Sequence, residues 1–280
     1  MTVTIIGVGL IGGSMALKLK NQQFASKIYG VDFNEQNLHK ALELKIIDEA
    51  VNLEFAIKNS DLIILAIPVD SSQKLLPKIL DFCTENQTVM DVGSTKFEIT
   101  KGIKNHINKS RFVASHPMWG TENSGPGAAT SDAFGGRAAV ICEAENSATD
   151  SLELVKKVYE NLEMNLLYMS SEDHDIHTAY ISHISHITSY ALANTVLEKE
   201  KEEDTIFQLA SSGFSSTVRL AKSHPEMWVP IFKQNKENVL DVLNEHISQL
   251  RKFKSALEKD NFEYLEELIS NANKIRGILK

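Results

Sequence analysis

The sequence predicts an α/β fold, a doubly wound and mostly parallel sheet over residues 1–170, followed by an all-helical domain over residues 171–280. Two observations predict this order. Through about Tyr168, short apolar runs alternate with helical patterns, as in consecutive βαβ units. After about Ser170 no run resembles a strand, and apolar residues recur at helical spacing. We therefore expect a sheet domain and then a helical domain.

Short apolar runs in the first domain are the predicted strands. Several are continuously apolar, as expected of parallel strands that helices cover on both faces. The predicted strands are Val3–Ile6, Ile28–Val31, Leu62–Ile67, Val89–Val92, Phe112–Ser115, Ala138–Cys142 and Asn165–Tyr168.

Three segments of the second domain are predicted helical, Ser171–Leu197, Pro225–Leu257 and Asn261–Ile278. Ser170 is predicted to cap the first, because its hydroxyl can accept a backbone N–H and the acids that follow complement the helix dipole. The charged run Glu198–Asp204 is interpreted as a solvated helix end or an exposed loop. A helical domain this small, with this many apolar faces, predicts a partner subunit.

Composition and charge restrict the classes of function. The chain of 280 residues is 42% hydrophobic and 24% charged, which is ordinary for a folded protein. Its net charge of −8 and lack of a basic patch argue against nucleic acid as a partner. Cys83 and Cys142 lack metal-ligand spacing and favour a reducing compartment. Since the chain begins with a predicted strand and the longest apolar run, Leu62–Val69, is too short for a bilayer, we expect a cytoplasmic protein without a membrane partner.

The segment Gly-Val-Gly-Leu-Ile-Gly, which begins at Gly7, follows the first predicted strand and opens a helical pattern. This context makes it the fingerprint of a Rossmann-type dinucleotide-binding turn. Gly7 permits the tight turn, Gly9 lets the backbone approach a pyrophosphate, and Gly12 allows close packing of helix on sheet. Leu10 and Ile11 start the helix at whose N-terminus the pyrophosphate would lie. The alternative is a fortuitous glycine turn.

An acid and a strand end complete the predicted cofactor site. Asp32 follows the second predicted strand, twenty residues beyond Gly12. Its carboxylate would accept hydrogen bonds from ribose hydroxyls and repel a 2′-phosphate, so NAD is favoured over NADP. Ile67 and Pro68 end a central strand at the carboxyl edge of the sheet, where cofactors bind in open α/β folds.

Two residues are candidates for the chemistry. His116 comes directly after a predicted strand, and Pro117 fixes the chain behind it. A histidine in this place would face the nicotinamide, and its pKa suits removal of a hydroxyl proton during hydride transfer. The alternative is a histidine that only caps a loop. Ser94 lies in another strand-to-helix turn, where a serine is more often a helix cap.

Through several motifs the sequence resembles the prephenate/arogenate dehydrogenases of tyrosine biosynthesis, and the resemblance covers nearly the whole chain. The glycine loop is shared by many dehydrogenases, whereas the His-Pro-x-x-Gly-Thr-Glu run, the Ser-His-x-x-His run and the later arginine are much more specific. The matching segments are Gly7–Ser14, Asp91–Lys96, Ser115–Pro117, Gly120–Gly125, Ser182–His186, Gly213–Phe214, Arg219–Ala221 and Met227–Trp228.

The resemblance implies NAD-dependent oxidative decarboxylation of a cyclohexadienyl substrate, in which the ring becomes aromatic. The task of such an enzyme is positioning and charge placement. By the family pattern His116 takes the hydroxyl proton and Ser94 orients the same region. The residues implied to bind substrate are Arg219 and His186 on its carboxylates, Glu122 at the entrance, Gly213, and Trp228 over the site.

The family pattern also implies a homodimer through the helical domain. Some relatives carry a fused regulatory domain or a chorismate mutase, and we expect neither here because the helical domain ends the sequence. Residues 213–218 carry no acid that could meet the ammonium group of arogenate, which favours prephenate.

Other functions stay open at this point. One is another two-domain dehydrogenase of this fold, such as a 3-hydroxyacid dehydrogenase or a pyrroline carboxylate reductase. Another is an NAD-binding redox sensor without turnover. A metal site is not expected, although His174, His177, His183 and His186 lie close in sequence, because no catalytic-zinc signature accompanies them.

Single residues also have alternatives. Arg219 could be a surface arginine on an amphipathic helix, and Trp228 could be ordinary core. Trp119 is bulky beside the catalytic loop, where the family pattern leads us to expect a smaller residue. The sequence therefore predicts a narrower or differently shaped pocket.

Overall fold

The computed structural model describes residues 1–203 and 205–278, and it is built on an eight-stranded sheet. The strands are β1 (Thr2–Ile6), β2 (Lys27–Val31), β3 (Glu49–Ala50), β4 (Leu62–Leu65), β5 (Thr88–Asp91), β6 (Phe112–Pro117), β7 (Ala138–Cys142) and β8 (Asn165–Met169). They lie in the order β3-β2-β1-β4-β5-β6-β7-β8, with β1 to β6 parallel and β7 antiparallel to β6. The predicted fold class is confirmed.

Helices pack on both faces of the sheet and continue after it. In the order of the chain they are α1 (Leu10–Asn21), α2 (Glu35–Glu43), α3 (Leu53–Lys58), α4 (Val69–Phe82), α5 (Phe97–Gly102), α6 (Thr149–Asn161), α7 (Ser171–Thr178), α8 (Ile184–Glu203), α9 (Ser212–Thr217), α10 (Pro225–Gln234), α11 (Lys236–Glu258) and α12 (Phe262–Asn273).

Several strand ends differ from the prediction by one or two residues, and two of these differences concern predicted site residues. β4 ends at Leu65 rather than Ile67, because Pro68 has no N–H for a ladder hydrogen bond and stands at the N-cap of α4. β6 continues through His116, which pairs with Val140 of β7, so this histidine lies inside the strand rather than behind it. The two-residue β3 is too short to produce a periodic pattern, and the sequence did not predict it.

The core lies on both faces of the central strands. Leu62 and Ile64 of β4 pack on the side of α1 and α6, whereas Ile63 and Leu65 pack on the side of α4 and α5. All four are fully buried, and each buried aliphatic side chain contributes about 1.5–3 kcal/mol. The sheet therefore holds its carboxyl edge, where the predicted site residues lie, as a rigid frame.

A continuous helical stretch follows the last strand. Ser170 caps α7 by accepting the backbone N–H of Asp173, as predicted. Between α7 and α8 the segment Ala179–His183 forms a π-helix. A π turn offsets the side chains on either side of it and is frequent at functional sites.

The contacts divide the chain into two compact units, Met1–Asn235 and Lys236–Lys280. The first contains the sheet together with α7 to α10. The second contains α11 and α12, on which several large apolar side chains are exposed. Asp204, Leu279 and Lys280, which belong to the predicted helical domain, lie outside the described residues. Within the described ranges, no helix has the length and apolar character that crossing a bilayer requires.

Candidate active site

The loop between β1 and α1 has the backbone geometry that a bound pyrophosphate needs. Gly7 has φ of +95°, and a Cβ there would collide with the carbonyl oxygen of Ala66. A Cβ at Gly12 would collide with the carbonyl oxygen of Gly7, so α1 can approach the loop only with glycine there. A Cβ at Gly9 would meet no atom within 4 Å, so open space lies beside the start of α1. These residues fit a dinucleotide whose phosphates lie at a helix N-terminus.

Asp32 lies at the end of β2 and is oriented by the backbone around it. Its Oδ2 accepts the N–H of Val8 at 3.0 Å and its Oδ1 accepts the N–H of Asn34 at 2.9 Å. Each carboxylate oxygen retains a second lone pair for a ribose hydroxyl. The acid and the glycine loop therefore lie side by side and fit one dinucleotide.

A buried ion pair ties the ends of β5 and β6 together. Lys96 Nζ donates to the carboxylate of Asp91 and, at 2.8 Å, to the carbonyl oxygen of Ser115. Asp91 also accepts the backbone N–H of Ser115 at 3.1 Å. Both charged side chains are buried, and removing one of them would cost about 3–5 kcal/mol. This network fixes the strand end on which His116 stands.

His116 is the first member of a buried chain of hydrogen bonds. Its Nδ1 lies 2.9 Å from Nε2 of His174, and Nδ1 of His174 lies 2.7 Å from Oδ1 of Asp175. The carboxylate of Asp175 accepts the backbone N–H groups of Lys96 at 2.8 Å and Phe97 at 3.0 Å. The chain thus links β6, α7 and the start of α5, and we call it the relay (His116, His174 and Asp175).

The carboxylate end of the relay sets the proton positions. Because an ionised Asp175 can only accept, His174 donates from Nδ1 and accepts at Nε2, and His116 donates from Nδ1. Nε2 of His116 is left with a lone pair. Burial lowers the pKa of His116 well below its usual 6.5, and nearby His174 and Lys96 act in the same direction. His116 is therefore neutral at pH 7 and can accept a proton.

Two buried N–H groups lack a hydrogen-bond partner among the described residues, Nε2 of His183 and Nε1 of Trp228. Asn235 Nδ2 lies 3.1 Å from His183 Nδ1 and also donates to the carbonyl oxygen of Asp175. His183 Nδ1 therefore accepts, and the hydrogen is on Nε2. An unpaired buried donor costs about 1–3 kcal/mol, so each of these two groups calls for an acceptor that the described residues do not supply.

His186 stacks on Trp228 with ring centroids 3.4 Å apart. Its Nδ1 donates to the carbonyl oxygen of Ser182 at 3.1 Å, so Nε2 has the lone pair when the ring is neutral. Burial lowers the pKa of His186 to about 4, and the nearby Arg219 guanidinium acts in the same direction. At pH 7 the free nitrogen of His186 is therefore a hydrogen-bond acceptor.

Arg219 and Glu122 lie together. Arg219 Nη1 donates to Glu122 Oε2 at 2.8 Å, and the arginine side chain is half-exposed. The backbone N–H of Glu122 and the bond from Arg219 lower the pKa of this carboxyl. Both side chains are partly exposed, as expected at the entrance of a site. The guanidinium nitrogens of Arg219 that do not bind Glu122 remain available for a substrate carboxylate.

Other predicted residues have local contacts that do not assign a role. Ser94 is half-buried in the loop between β5 and α5. The carbonyl of Gly213 accepts the hydroxyls of Ser216 and Thr217 inside α9. Ile67 and Pro68 precede Val69, which packs on Trp228. Trp119 packs edge-to-face on buried Phe134 with centroids 5.3 Å apart, so its ring contributes to the core.

Sequence reasoning missed three residues of this site: Lys96, His174 and Asp175. In the sequence, Lys96 stands out only as the end of a matching motif and His174 only as one of four histidines for which no metal site is expected, and nothing singles out Asp175. His116 and His174 are 58 positions apart, and no spacing rule joins them. A signal was present in the pattern Asp-His-Asp near the start of α7, which places His174 between two acids.

Two family models match the chain. The model described as "Prephenate dehydrogenase, nucleotide-binding domain" matches residues 15–168, and the model described as "Prephenate dehydrogenase, dimerization domain" matches residues 170–271. The first match begins after the glycine loop, so the loop is supported by its own geometry.

The chain is similar over nearly its whole length to several named relatives. It is 29% identical to the prephenate dehydrogenase of Bacillus subtilis over 98% of this chain and 75% of that protein. It is 30% identical to the prephenate dehydrogenase of Lactococcus lactis over 99% of this chain and 77% of that protein. A crystal structure of prephenate dehydrogenase from A. aeolicus with hydroxyphenyl propionate and NAD+ superposes with a TM-score of 0.91 at 32% identity, covering 100% of this chain and 98% of that one.

Proposed function

Because the chain belongs to the prephenate dehydrogenase family, we propose that it catalyses the NAD-dependent oxidative decarboxylation of prephenate to 4-hydroxyphenylpyruvate in tyrosine biosynthesis. The observation that carries the proposal is the lone pair on His116 Nε2. It lies at the end of β6, on the same edge of the parallel strands as the glycine loop and Asp32. A base at this edge suits hydride transfer from a substrate alcohol.

The cofactor site would be formed by Gly7, Gly9, Gly12 and Asp32, with Leu10, Ile11, Ile67 and Pro68 around it. Open space at Gly9 and the two oriented oxygens of Asp32 support this assignment. When bound, NAD supplies the acceptor for the hydride.

His116 acts as the general base of the proposed reaction. Its Nε2 accepts the proton of the ring hydroxyl, while a hydride leaves the ring carbon that carries this hydroxyl and passes to NAD. The bond from the ring to the carboxylate then breaks, carbon dioxide leaves, and the electron pair completes the aromatic ring. The proton returns from His116 to the oxygen of the new phenol, so no net proton is consumed. Ser94 lies in the adjacent loop and is proposed to orient the hydroxyl.

The relay is proposed to hold His116 in its base form and to stabilise the imidazolium that forms during turnover. Asp175 and His174 act through His116, so they are positioning residues. General-base catalysis of this kind contributes about 10²–10⁴-fold to the rate.

The substrate has two carboxylates, and two groups of residues are proposed to hold them. Arg219 would bind one through its planar guanidinium, exchanging part of its contact with Glu122. The unpaired N–H groups of His183 and Trp228 would donate to the other, which removes the cost of leaving them unpaired. His186 is proposed to line the same region, and holding a carboxylate would require it to take up a proton. Gly213 is proposed for the wall of the site.

Dimerisation, domain division and location are proposed as well. The exposed apolar residues of α11 and α12, and the description of the matching family model, support a homodimer through the helical domain. The division at residues 170 and 171 is supported by the bounds of the two matched models. A cytoplasmic location is supported by the two buried free cysteines.

A direct assay tests the proposal. NADH formation is followed with prephenate or arogenate and with NAD or NADP, and released carbon dioxide is measured in the same samples. We expect turnover with prephenate and NAD to exceed turnover with arogenate or with NADP, at one carbon dioxide per NADH. Exchange of Asp32→Ser should raise the KM for NAD and relax the discrimination against NADP. Absence of NADH with both substrates would overturn the proposal.

A further inference from the structure

Asn235 is a buried polar residue directly after α10 to which the proposed function gives no role. It is 3% exposed, and its side-chain nitrogen Nδ2 lies 2.6 Å from the carbonyl oxygen of Asp175 and 3.1 Å from Nδ1 of His183. The amide therefore joins α7, which carries two members of the relay, to the ring whose Nε2–H has no partner among the described residues. A buried amide in this place controls what the ring offers to a ligand.

Asp175 fixes the orientation of the Asn235 amide. A carbonyl oxygen can only accept, so the nitrogen of the amide, and not its oxygen, faces it. The second hydrogen on this nitrogen is then directed at His183 Nδ1, which has to accept. Because a neutral imidazole carries one hydrogen, the hydrogen of His183 is on Nε2. The tautomer of His183 is thus determined by Asn235.

Hydrogen bonds around the end of α10 hold Asn235 in place. Its backbone N–H donates to the carbonyl oxygen of Ile231 at 3.0 Å and closes the helix. The neighbouring Gln234 accepts the hydroxyl of Thr95 at 2.6 Å and donates to Gln73 at 3.0 Å. These bonds tie α10 to α4 and to the loop before α5, so Asn235 orients the ring from a fixed position.

His183 is neutral at pH 7, so its tautomer decides what Nε2 can bind. Burial lowers the pKa of His183 to about 4, while Asp175 acts in the opposite direction and His174 and His186 reinforce the lowering. With the hydrogen on Nε2, the ring donates to a carboxylate. With the hydrogen on Nδ1, Nε2 would present a lone pair that repels a carboxylate, and the neighbouring Nε1–H of Trp228 would be the only donor of the two.

We propose that Asn235 is a positioning residue for substrate binding, which holds His183 in the tautomer whose Nε2–H donates to a carboxylate of the substrate. This role rests on the proposed function and falls to a residue outside the predicted catalytic, substrate and cofactor sets. The Asp175 carboxylate is held separately by the backbone N–H groups of Lys96 and Phe97, so the relay is retained when the Asn235 amide is changed. A change at Asn235 should therefore affect KM more than kcat.

The tautomer is measured without substrate, by ¹H–¹⁵N NMR of the histidine rings in the full-length protein at pH 8. The His183 signals are assigned by their loss in His183→Leu. We expect the hydrogen on Nε2 in the wild type and in Asn86→Asp, the same change at an exposed position before β5. In Asn235→Asp a carboxylate faces Nδ1 and can only accept, so the hydrogen should move to Nδ1. A hydrogen on Nδ1 in the wild type, or one that stays on Nε2 in Asn235→Asp, would overturn the proposed role independently of the proposed function.

Initial rates with prephenate and NAD measure the effect on substrate binding. Asn235→Asp should raise the KM for prephenate by about tenfold or more and change kcat by less than about threefold, because a donor to a charged group is lost in the ground state and the transition state alike. Asn86→Asp should leave both parameters unchanged.

A double variant tests whether Asn235 acts through the ring. His183→Leu should raise KM to a similar extent, and its combination with Asn235→Asp should raise KM no further, since the ring that Asn235 orients is then absent. Increases in KM that multiply in the double variant, or an unchanged KM in Asn235→Asp, would overturn the role of Asn235 while the proposed function stands. A wild type that is inactive with prephenate would overturn the proposed function and this role with it.

Discussion

The pKa of His116 decides the pH range in which the proposed base works. Burial holds this pKa well below 6.5, so the neutral, proton-accepting form persists as the pH falls through the usual range of histidine. We predict that kcat/KM for prephenate stays constant from pH 8 to 6.5 and declines only at lower pH. The pH profile of initial rates measures this, and a decline centred at or above pH 6.5 would contradict the assignment.

His174 is expected to act through His116 rather than on the substrate. His174→Gln removes both the hydrogen bond that fixes the tautomer of His116 and a neighbouring group that lowers its pKa. We predict a loss in kcat of about 10- to 100-fold at unchanged KM, together with a shift of the acidic limb toward higher pH. If His174 were only structural, its loss would lower kcat without shifting the acidic side of the pH profile. His39→Gln, at an exposed histidine, is the matched control.

Substitutions of Arg219 and of His116 should change different kinetic parameters, KM for Arg219 and kcat for His116. Arg219→Ala would remove the proposed charged hydrogen bond to a substrate carboxylate and should raise KM by about tenfold or more, with little change in kcat. Glu122→Gln removes the competing partner of Arg219 and should not raise KM. Arg137→Ala, at an exposed arginine, should leave both parameters unchanged. A fall in kcat at constant KM in Arg219→Ala would mean that the roles are wrongly assigned.

At the scale of single residues, the sequence singled out candidate site residues that are marked by their neighbours in the chain. His116 could be singled out because a strand and a proline flank it, and Asp32 because its distance from Gly12 is fixed by one βαβ unit. His174 and Asp175 could not, because their roles depend on a contact between α7 and β6 that only the folded chain creates. The unpaired donors of His183 and Trp228 depend equally on three-dimensional burial.

At the scale of elements, the apolar pattern predicted where the core strands lie, but it did not predict where they end. The core strands are buried on both faces, so their composition marks them clearly. The end of β6 is extended by pairing with β7, which a local pattern does not contain. The π segment Ala179–His183 lies inside a stretch that the sequence predicts as one plain helix, because apolar spacing alone does not mark where a helical turn widens.

The exposed face of α11 makes a prediction about assembly. Leu240, Ile247, Leu250 and Leu257 are exposed at intervals of seven, three and seven residues, which places them on one face of the helix. Ile247→Asp with Leu250→Asp should convert a dimer into a monomer, because two charges would be buried without partners. Sedimentation velocity measures this. Gln249→Asp, on the opposite face, is the control, and a dimer that survives the double change would exclude this face from the interface.

At the scale of the whole molecule, the sequence pattern and the contacts divide the chain at different places. The pattern changes from strands and helices to helices alone near Ser170, whereas the contacts divide the chain after Asn235. The contacts group α7 to α10 with the sheet, because Asp175 binds the start of α5 and Thr95 binds Gln234 at 2.6 Å. Periodicity reports which kind of element a segment forms, whereas contacts report what it packs on. The proposed site uses this arrangement, since its base lies on the sheet and its positioning residues lie on helices.

One measurement tests the central claim, that His116 is the base in hydride transfer from prephenate to NAD. Prephenate with deuterium on its carbinol carbon is incubated with NAD and either the wild-type protein or His116→Asn, and the deuterium in NADH is measured by mass spectrometry. We predict one deuterium per NADH in the wild type and a rate about 10²–10⁴-fold lower in the variant. Unlabelled NADH, or a variant as fast as the wild type, would contradict the account.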